Sequence, residues 1–189
     1  MLDKLASLFL PLTRNVVEPT LGLAIEIARE GREGRRIGTM FMLGDSERVL
    51  RHSRPLILDP LAGHPAQARH VTDSNLRGTI KELAQLDGAF VVSDSGIFVA
   101  ACQYLNADAP ELHLALGLGT RHLAAAAMSQ ATSRVGVVVS ETASVRVFRK
   151  GLLIAEVSRC SRGLGAQLRG CRLLSAIRPD ARVTYIIGY

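Results

Sequence analysis

Cysteine is scarce in this 189-residue chain, and its placement argues against two common kinds of site. The three cysteines, Cys102, Cys160 and Cys171, are odd in number and scattered, and no C-x-x-C pair occurs. We therefore expect neither a disulfide framework nor a zinc site built on paired thiolates. Scattered free thiols are typical of a reducing compartment, which predicts a cytoplasmic location.

Long apolar runs are missing as well. No run approaches the roughly 20 residues that a membrane-spanning helix needs, so we expect no membrane partner. The first 15 residues, MLDKLASLFLPLTRN, are short and amphipathic and show no convincing cleavage site. They are more typical of a first helix packing on the domain than of a signal peptide.

Positive charge is concentrated at the C-terminal end. The whole chain carries +6, and the segment from Ser158 onward, with six arginines, no lysine and only Asp180 as an acid, accounts for +5. Such a segment can bind nucleic acid, anionic lipid or nucleotide, but it is more often a solvated extension. Only Tyr185 and Tyr189 supply aromatic rings there, so base stacking has little support.

The remaining pattern alternates helical and strand periodicity within a length that suits one domain. Helices are predicted for 16–31, for TDSNLRGTIKELAQLDG and for the alanine-rich run after Gly119. Strands are predicted in RRIGTMFMLGD, in LILDPLAGHP, on both sides of the SDSG turn and in VGVVVSE, followed by a hairpin through Lys150-Gly151. This predicts a single α/β domain with a mixed central sheet flanked by helices. We expect an N-terminal helical segment at 1–37, the main domain at 38–157 and an arginine-rich extension at 158–189.

The stretch GLGTRH, at 117–122, directly precedes the alanine-rich helix. Glycines let the backbone approach a ligand, and the free N–H groups of a first helical turn attract anions. Arg121 can hold phosphate oxygens, and His122 can donate to them. The stretch is neither a dinucleotide fingerprint nor a Walker A loop. Taken alone, it is more typical of an ordinary capped helix with an exposed arginine.

Two further stretches carry polar groups beside predicted strands. In DGAF, Asp87 precedes a strand and can bind a cation or orient a hydroxyl, with Gly88 leaving room for a substrate. In VVVSET, Ser140 and Glu141 follow an apolar strand, where α/β sheets place ligands. Each stretch alone is more typical of an ordinary turn or strand end.

Together the three stretches are distinctive. LDGAF before a strand pair, then GTRHLAAAA, then VVVSE and a hairpin containing FRKG, resemble the diadenylate cyclase domain family over roughly residues 38–157. GTMFMLGD and SRPLILDP are similar to one soluble branch of that family. The wider family often carries a second acid after Ser-Glu, where this chain has Thr142.

The resemblance implies an enzyme that joins two ATP molecules into cyclic di-AMP and releases two pyrophosphates. Asp87 would activate the ribose 3′-hydroxyl with the help of Mg²⁺ or Mn²⁺, and Glu141 would support metal or substrate placement. Arg121 and His122 would complete the catalytic set by neutralising the pyrophosphate. Two bonds between two ATP molecules imply two sites that face each other in a homo-oligomer.

The resemblance also implies a substrate-binding set. Its members are Gly88 and Ala89 at the ribose and adenine, Leu105 on the adenine, Gly119, Thr120, Arg121 and His122 at the triphosphate, and Ser140 at a phosphate. The alanine-rich helix would pack closely under the sheet. Two alternatives remain: a non-catalytic nucleotide-binding regulator on the same fold, and a nucleic-acid-binding module that uses the basic extension.

Overall fold

The computed structural model describes residues 14–56, 58–107, 109, 112, 117–158, 174–177 and 183–188. The helices in these ranges are α1 (Arg14–Glu30), α2 (Ser46–Arg51), α3 (Ser74–Leu83) and α4 (Thr120–Thr132), with a 3-10 helix at Ala66–Arg69. The strands are β1 (Thr39–Leu43), β2 (Ser53–Pro55), β3 (Ala89–Val92), β4 (Phe98–Leu105), β5 (Val135–Val139), β6 (Val145–Arg149), β7 (Leu152–Ser158), β8 (Leu174–Ile177) and β9 (Val183–Gly188).

These strands form one mixed sheet in the order β2-β4-β3-β1-β5-β6-β7-β9-β8. The central strand β1 runs parallel to β3 and antiparallel to β5. Hairpins join β3 to β4, β5 to β6 and β6 to β7. The predicted single α/β domain with a mixed sheet is confirmed.

Both faces of the sheet are covered, which explains why β1 is buried along its whole length. Side chains alternate along a strand, so Phe41 and Leu43 pack with α1 and α3, whereas Met40 and Met42 pack with α4. On the α1 side, the ring of Phe41 stacks on Phe90 with the centroids 5.2 Å apart. The sheet is therefore the middle of three layers.

The alanine-rich helix α4 lies unusually near the strands it covers. Ala125, Ala126 and Met128 are fully buried against the sheet. A Cβ added at Gly136 on β5 would lie 3.0 Å from the carbonyl oxygen of Ala125. The small residues on both surfaces let the helix backbone approach the sheet, as predicted.

The predicted helices at 16–31 and 72–88 correspond to α1 and α3, and Asp73 caps α3 by accepting a hydrogen bond from the backbone N–H of Leu76 at 2.9 Å. The strand predicted in LILDPLAGHP is wrong, because strand β2 lies before it at Ser53–Pro55. The chain turns away at Asp59, whose carboxylate accepts from the backbone N–H groups of Leu61 and Ala101.

The predicted segment 1–37 is described from Arg14, and α1 contributes Val16, Leu23 and Ile27 to the core. In the predicted extension 158–189, β9 pairs parallel with β7 and antiparallel with β8, so its described residues continue the sheet. Its six arginines, and with them the predicted nucleic-acid contacts, lie outside the described residues. The domain boundaries stay predictions.

Within the described ranges, no helix combines the length and apolar character that a bilayer crossing requires.

The contact between α4 and β5 makes Gly136→Ala a test of close packing. The added methyl would press on helix backbone that has no side-chain freedom, so we expect a net destabilisation of about 1–2 kcal/mol in urea unfolding. Gly78→Ala on α3 is the matched control, because its methyl meets nothing within 4 Å. That control is expected to gain about 0.5–1 kcal/mol from helix propensity. Equal effects of the two substitutions would contradict the close packing.

Candidate active site

Three segments converge at one edge of the sheet because of how the central strands run. Gly38 directly precedes β1, and Asp87 precedes the parallel neighbour β3 by two residues. Glu141 follows β5, which is antiparallel to β1, so the end of β5 lies beside the beginnings of the other two. The site thus forms at the amino ends of a parallel pair, and not beyond its carboxyl ends as α/β sheets usually place ligands.

Arg121, in the first turn of α4, joins the two acids of this edge. Its Nη2 donates to Oδ1 of Asp87 at 3.0 Å, and its Nη1 donates to Oε1 of Glu141 at 3.2 Å. The side chains of Asp87 and Glu141 are 83% and 65% exposed, so both carboxylates face solvent. One guanidinium therefore serves two carboxylates, and this edge keeps one excess negative charge.

Gly38 makes room for that guanidinium. A Cβ at this position would lie 2.7 Å from Nη1 of Arg121 and 3.3 Å from Cγ of Glu141. Any larger residue would have to displace the guanidinium. Sequence analysis did not single out Gly38, although it stands directly before a buried strand.

A cleft of about 570 Å³ opens beside these residues. This volume lies within the range of roughly 300–1,000 Å³ that is usual for small-molecule sites. Its lining combines the polar residues of the edge with an apolar wall from β1, β4 and α4: Met40, Leu56, Asp87, Gly88, Gln103, Tyr104, Leu105, Ala107, Thr120, Arg121, Leu123, Ala124 and Ala127. The cleft therefore has an apolar wall and a charged end.

Gly88 has a structural reason to be glycine. Its φ is +105°, and an added Cβ would lie 2.6 Å from the carbonyl carbon of Cys102. Cys102 itself has a φ of 54°, beside the irregular β3–β4 register. The position that a Cβ of Gly88 would take is thus filled by β4 backbone, while Gly88 itself lines the cleft.

The N-terminus of α4 is prepared for an anion. Its cap residue, Gly119, has no side chain to accept from the first N–H groups, and the first turn contains no acid. No side chain of this first turn therefore offsets the partial positive charge at the helix N-terminus. Thr120 and Arg121 present this helix end to the cleft.

Comparison with known proteins identifies the family. Residues 26–153 match the DAC family model, described as DisA bacterial checkpoint controller nucleotide-binding. The chain belongs to the DAC family. A diadenylate cyclase of Methanocaldococcus jannaschii is 44% identical over 144 residues, which are 76% of this chain and 45% of that protein. A diadenylate cyclase of Haloferax volcanii is 36% identical over 143 residues, 75% of this chain and 52% of that protein. The chain spans about half the length of these curated relatives.

Solved structures give a weaker likeness. DacA from Staphylococcus aureus aligns with a TM-score of 0.47 and 21% identity over 73% of this chain and 83% of that one. A hypothetical membrane spanning protein from Bacillus cereus aligns with a TM-score of 0.49 and 19% identity over 74% of this chain and 60% of that one.

The structure brings together most of the residues predicted from the DAC resemblance. The cleft is lined by Asp87, Gly88, Leu105, Thr120 and Arg121, and Glu141 reaches it through its ion pair with the arginine. Their roles toward a ligand stay predictions.

The other predicted residues lie behind or beside the cleft. Ala89 is fully buried in the sheet, and Gly119 caps the helix without lining the cleft. Ser140 belongs to a tight turn in which its Oγ accepts from the hydroxyl of Thr142 at 2.9 Å. Thr142, at the position where the family often has a second acid, therefore orients Ser140.

His122 lies behind the cleft wall. Its side chain is buried against Phe148, with the ring centroids 6.1 Å apart, and it does not line the cleft. Burial, reinforced by the charge of Arg146, lowers the pKa of His122 to about 4. The imidazole is therefore neutral at pH 7, so any contact with phosphate would come from a neutral ring.

Sequence reasoning missed several residues of the cleft lining, notably Met40, Gln103, Tyr104 and Leu123. No sequence pattern pointed to Tyr104 or Leu123, since their exposure of 46% each is a property of the fold. None pointed to Met40 or Gln103 either, because each lies within an otherwise ordinary buried strand.

The neutral, buried state of His122 predicts a pH dependence of stability. Its pKa is lower in the folded than in the unfolded state, so the unfolded chain binds the extra proton as the pH falls from about 6.5 to 4. The free energy of unfolding should drop across this window by up to about 2–3 kcal/mol more than in His122→Gln. Urea unfolding at pH 7, 5 and 4 measures this difference. Parallel curves for the two proteins would contradict it.

Proposed function

We propose that this chain is a diadenylate cyclase that condenses two ATP into cyclic di-AMP and two pyrophosphates. The observation that carries the proposal is Arg121, held between Asp87 and Glu141 at the mouth of the cleft. The relatives from Methanocaldococcus jannaschii and Haloferax volcanii both bear the name diadenylate cyclase, which supports the same activity here. A cytoplasmic location is part of the proposal, because the three cysteines of the sequence are scattered and odd in number.

The cleft suggests how one ATP would lie. Its apolar wall, with Leu105 and Met40, suits the adenine, and Gly88 lies beside Asp87 where the ribose would sit. The triphosphate would meet Thr120, Arg121 and the N-terminus of α4, where N–H groups and a guanidinium favour anions.

The donor set fits a divalent cation that arrives with the nucleotide. Asp87 and Glu141 are exposed carboxylates, the ligand type that Mg²⁺ and Mn²⁺ prefer. Among the residues described, no group of three or more His, Cys, Asp or Glu side chains is placed to hold a metal. Phosphate and water oxygens would therefore complete the coordination, as is usual for Mg²⁺. The bound ion would neutralise charge on the phosphates; we propose Mg²⁺ or Mn²⁺.

In the proposed reaction, the chain's own residues position the ribose hydroxyl and neutralise charge on the phosphates. The carboxylate of Asp87 accepts a hydrogen bond from the ribose 3′-hydroxyl and takes its proton as the oxygen attacks the α-phosphorus. The new bond joins O3′ to phosphorus, and the bond from that phosphorus to the pyrophosphate oxygen breaks. Arg121 stabilises the negative charge that moves onto the leaving pyrophosphate. Two of its five N–H donors are engaged by Glu141 and Asp87, so further donors remain for phosphate oxygens.

The proposed function is tested by incubating the purified protein with ATP and Mg²⁺ or Mn²⁺ and separating the products by chromatography. Cyclic di-AMP is the expected product. Asp87→Asn keeps the size of the side chain but loses the base, so turnover should fall about 100-fold or more while ATP still binds. ATP binding with no cyclic product from the wild-type protein would overturn the proposal in favour of a nucleotide-binding regulator.

Gly38→Ala tests the placement of Arg121 without removing it. The added methyl would push the guanidinium from Glu141, and since a guanidinium lies at the end of a flexible side chain, folding should change little. We expect the KM for ATP to rise about tenfold, the lower end of what a charged hydrogen bond contributes. Gly78→Ala serves as the control. An unchanged KM would remove Arg121 from the nucleotide site.

We also propose a homodimer in which two clefts face each other. One subunit contributes one cleft of this kind, lined by a single Asp87 and a single Arg121. A cyclic product made from two nucleotides needs two such clefts that face each other. An isologous two-fold pair supplies that arrangement.

Activity per subunit should therefore fall on dilution below the dissociation constant of the dimer. Turnover measured over a dilution series, alongside sedimentation of the same samples, checks this expectation. Full activity in a sample shown to be monomeric would eliminate the facing-dimer mechanism.

A further inference from the structure

Behind the cleft wall, three side chains from three elements form a connected polar group. Arg146 on β6 and Glu156 on β7 are paired partners across the two strands. Nη2 of Arg146 donates to Oε1 of Glu156 at 2.8 Å, and Nη1 of Arg146 lies 3.2 Å from Nε2 of His122 on α4. Both Arg146 and Glu156 are mostly buried, with side chains 17% and 22% exposed. We propose that Arg146, held by Glu156, is a positioning residue that fixes the ring of His122 with its proton on Nδ1.

The chemistry of the guanidinium determines the tautomer. Arginine has five N–H donors and no acceptor, so a hydrogen bond between Nη1 and the imidazole requires Nε2 to accept. A neutral imidazole that accepts at Nε2 carries its proton on Nδ1. The edge of Phe148 fixes the plane of the ring at the same time.

The charged groups that act on His122 favour this neutral form. Arg146 from β6 and Arg121 from its own helix both oppose a second proton, and only Glu156 from β7 favours it. A doubly protonated ring would also point an N–H at the guanidinium of Arg146. The ring is therefore held as a donor of fixed direction whose charge does not change near neutral pH.

The proton on Nδ1 has no partner among the described residues, although Nδ1 is buried. A buried donor without an acceptor is costly, and such a group in a native structure calls for an explanation. His122 directly follows Arg121, in the helix turn that faces the proposed triphosphate. Because the ring lies behind the cleft wall, donation from Nδ1–H to a phosphate oxygen would need the nucleotide to reach past that wall, and it rests on the proposed function. The tautomer and its dependence on Arg146 do not.

The tautomer is measured directly by long-range ¹H–¹⁵N correlation spectra of protein labelled with ¹⁵N-histidine. The His122 signals are assigned by their loss in His122→Gln. We expect a protonated Nδ1 and an unprotonated Nε2 from pH 5.5 to 8, without titration. An Nε2–H tautomer or a rapid mixture of the two in the wild-type protein would overturn the proposal, whatever the variants do.

The role of Arg146 is tested by two changes with opposite expectations. Arg146→Lys retains a cation that can only donate, so it should preserve the Nδ1–H tautomer. Arg146→Met combined with Glu156→Gln removes the donor without leaving a buried lone carboxylate, and should shift the ring toward Nε2–H. An unchanged tautomer in the double variant would contradict the positioning role. If that variant fails to fold, loss of the Nδ1–H form in Arg146→Lys would contradict it instead.

A matched control separates positioning from general stability. Arg77→Met with Glu26→Gln removes a comparable arginine–glutamate pair, 2.7 Å between α3 and α1, far along the chain from His122. It should leave the His122 spectrum and the KM for ATP unchanged, whereas the Arg146/Glu156 double variant should raise that KM about tenfold. The expected spectra in a protein that makes no cyclic di-AMP would leave the tautomer inference standing and overturn only the proposed function.

Discussion

The separation between helix α4 and the sheet is the constraint on which the site depends. Small residues on both surfaces, Gly136 on β5 and Ala125 on the helix, set that separation. Because a packed interior does not deform continuously, this contact also sets where the first turn of the helix lies. Arg121 in that turn reaches the two acids at the sheet edge only because the helix lies so close. The alanine-rich composition of α4 is thus a requirement of the site as well as of the core.

The ion pairs of Arg121 contribute little to the stability of the fold and can be exchanged at low cost. Its partners Asp87 and Glu141 are mostly exposed, and exposed ion pairs contribute little to folding, roughly 0–1 kcal/mol each. The fold nevertheless reserves space for the guanidinium by placing Gly38 beside it. Exchange of one carboxylate for another anion would therefore cost little stability, which suits the phosphate-binding role proposed for Arg121.

The layout of the fold was largely predictable because its signals are local. Strand β5, the hairpin through Lys150-Gly151 and the cap at Asp73 each follow from short patterns of apolar and turn residues. The failure in LILDPLAGHP has a clear cause, since the run looks apolar but Leu58 is 80% exposed. Periodicity cannot distinguish an apolar strand from an apolar surface loop that a carboxylate such as Asp59 holds in place.

Which residues form the site was more predictable from the sequence than how they are arranged. Resemblance pointed to Asp87, Arg121 and Glu141, which the fold brings together. No sequence signal showed that His122 would lie behind the cleft wall, because Arg146 and Glu156, which hold it, lie 24 and 34 positions later on two other strands. Likewise, the bulge at Cys102 that requires Gly88 depends on pairing between strands.

Charge balance explains why the proposed reaction would need a metal ion that comes with its nucleotide. Arg121 is the side-chain cation among the described residues that line the cleft, and His122 behind the wall is neutral near pH 7. Arg121 is already shared by Asp87 and Glu141, and a triphosphate would add more negative charge than one guanidinium and a helix N-terminus can offset. A divalent cation held by Asp87 and Glu141 would offset this excess of negative charge. Since the two acids alone do not form a complete coordination shell, metal and nucleotide should each strengthen the binding of the other, and by the same factor.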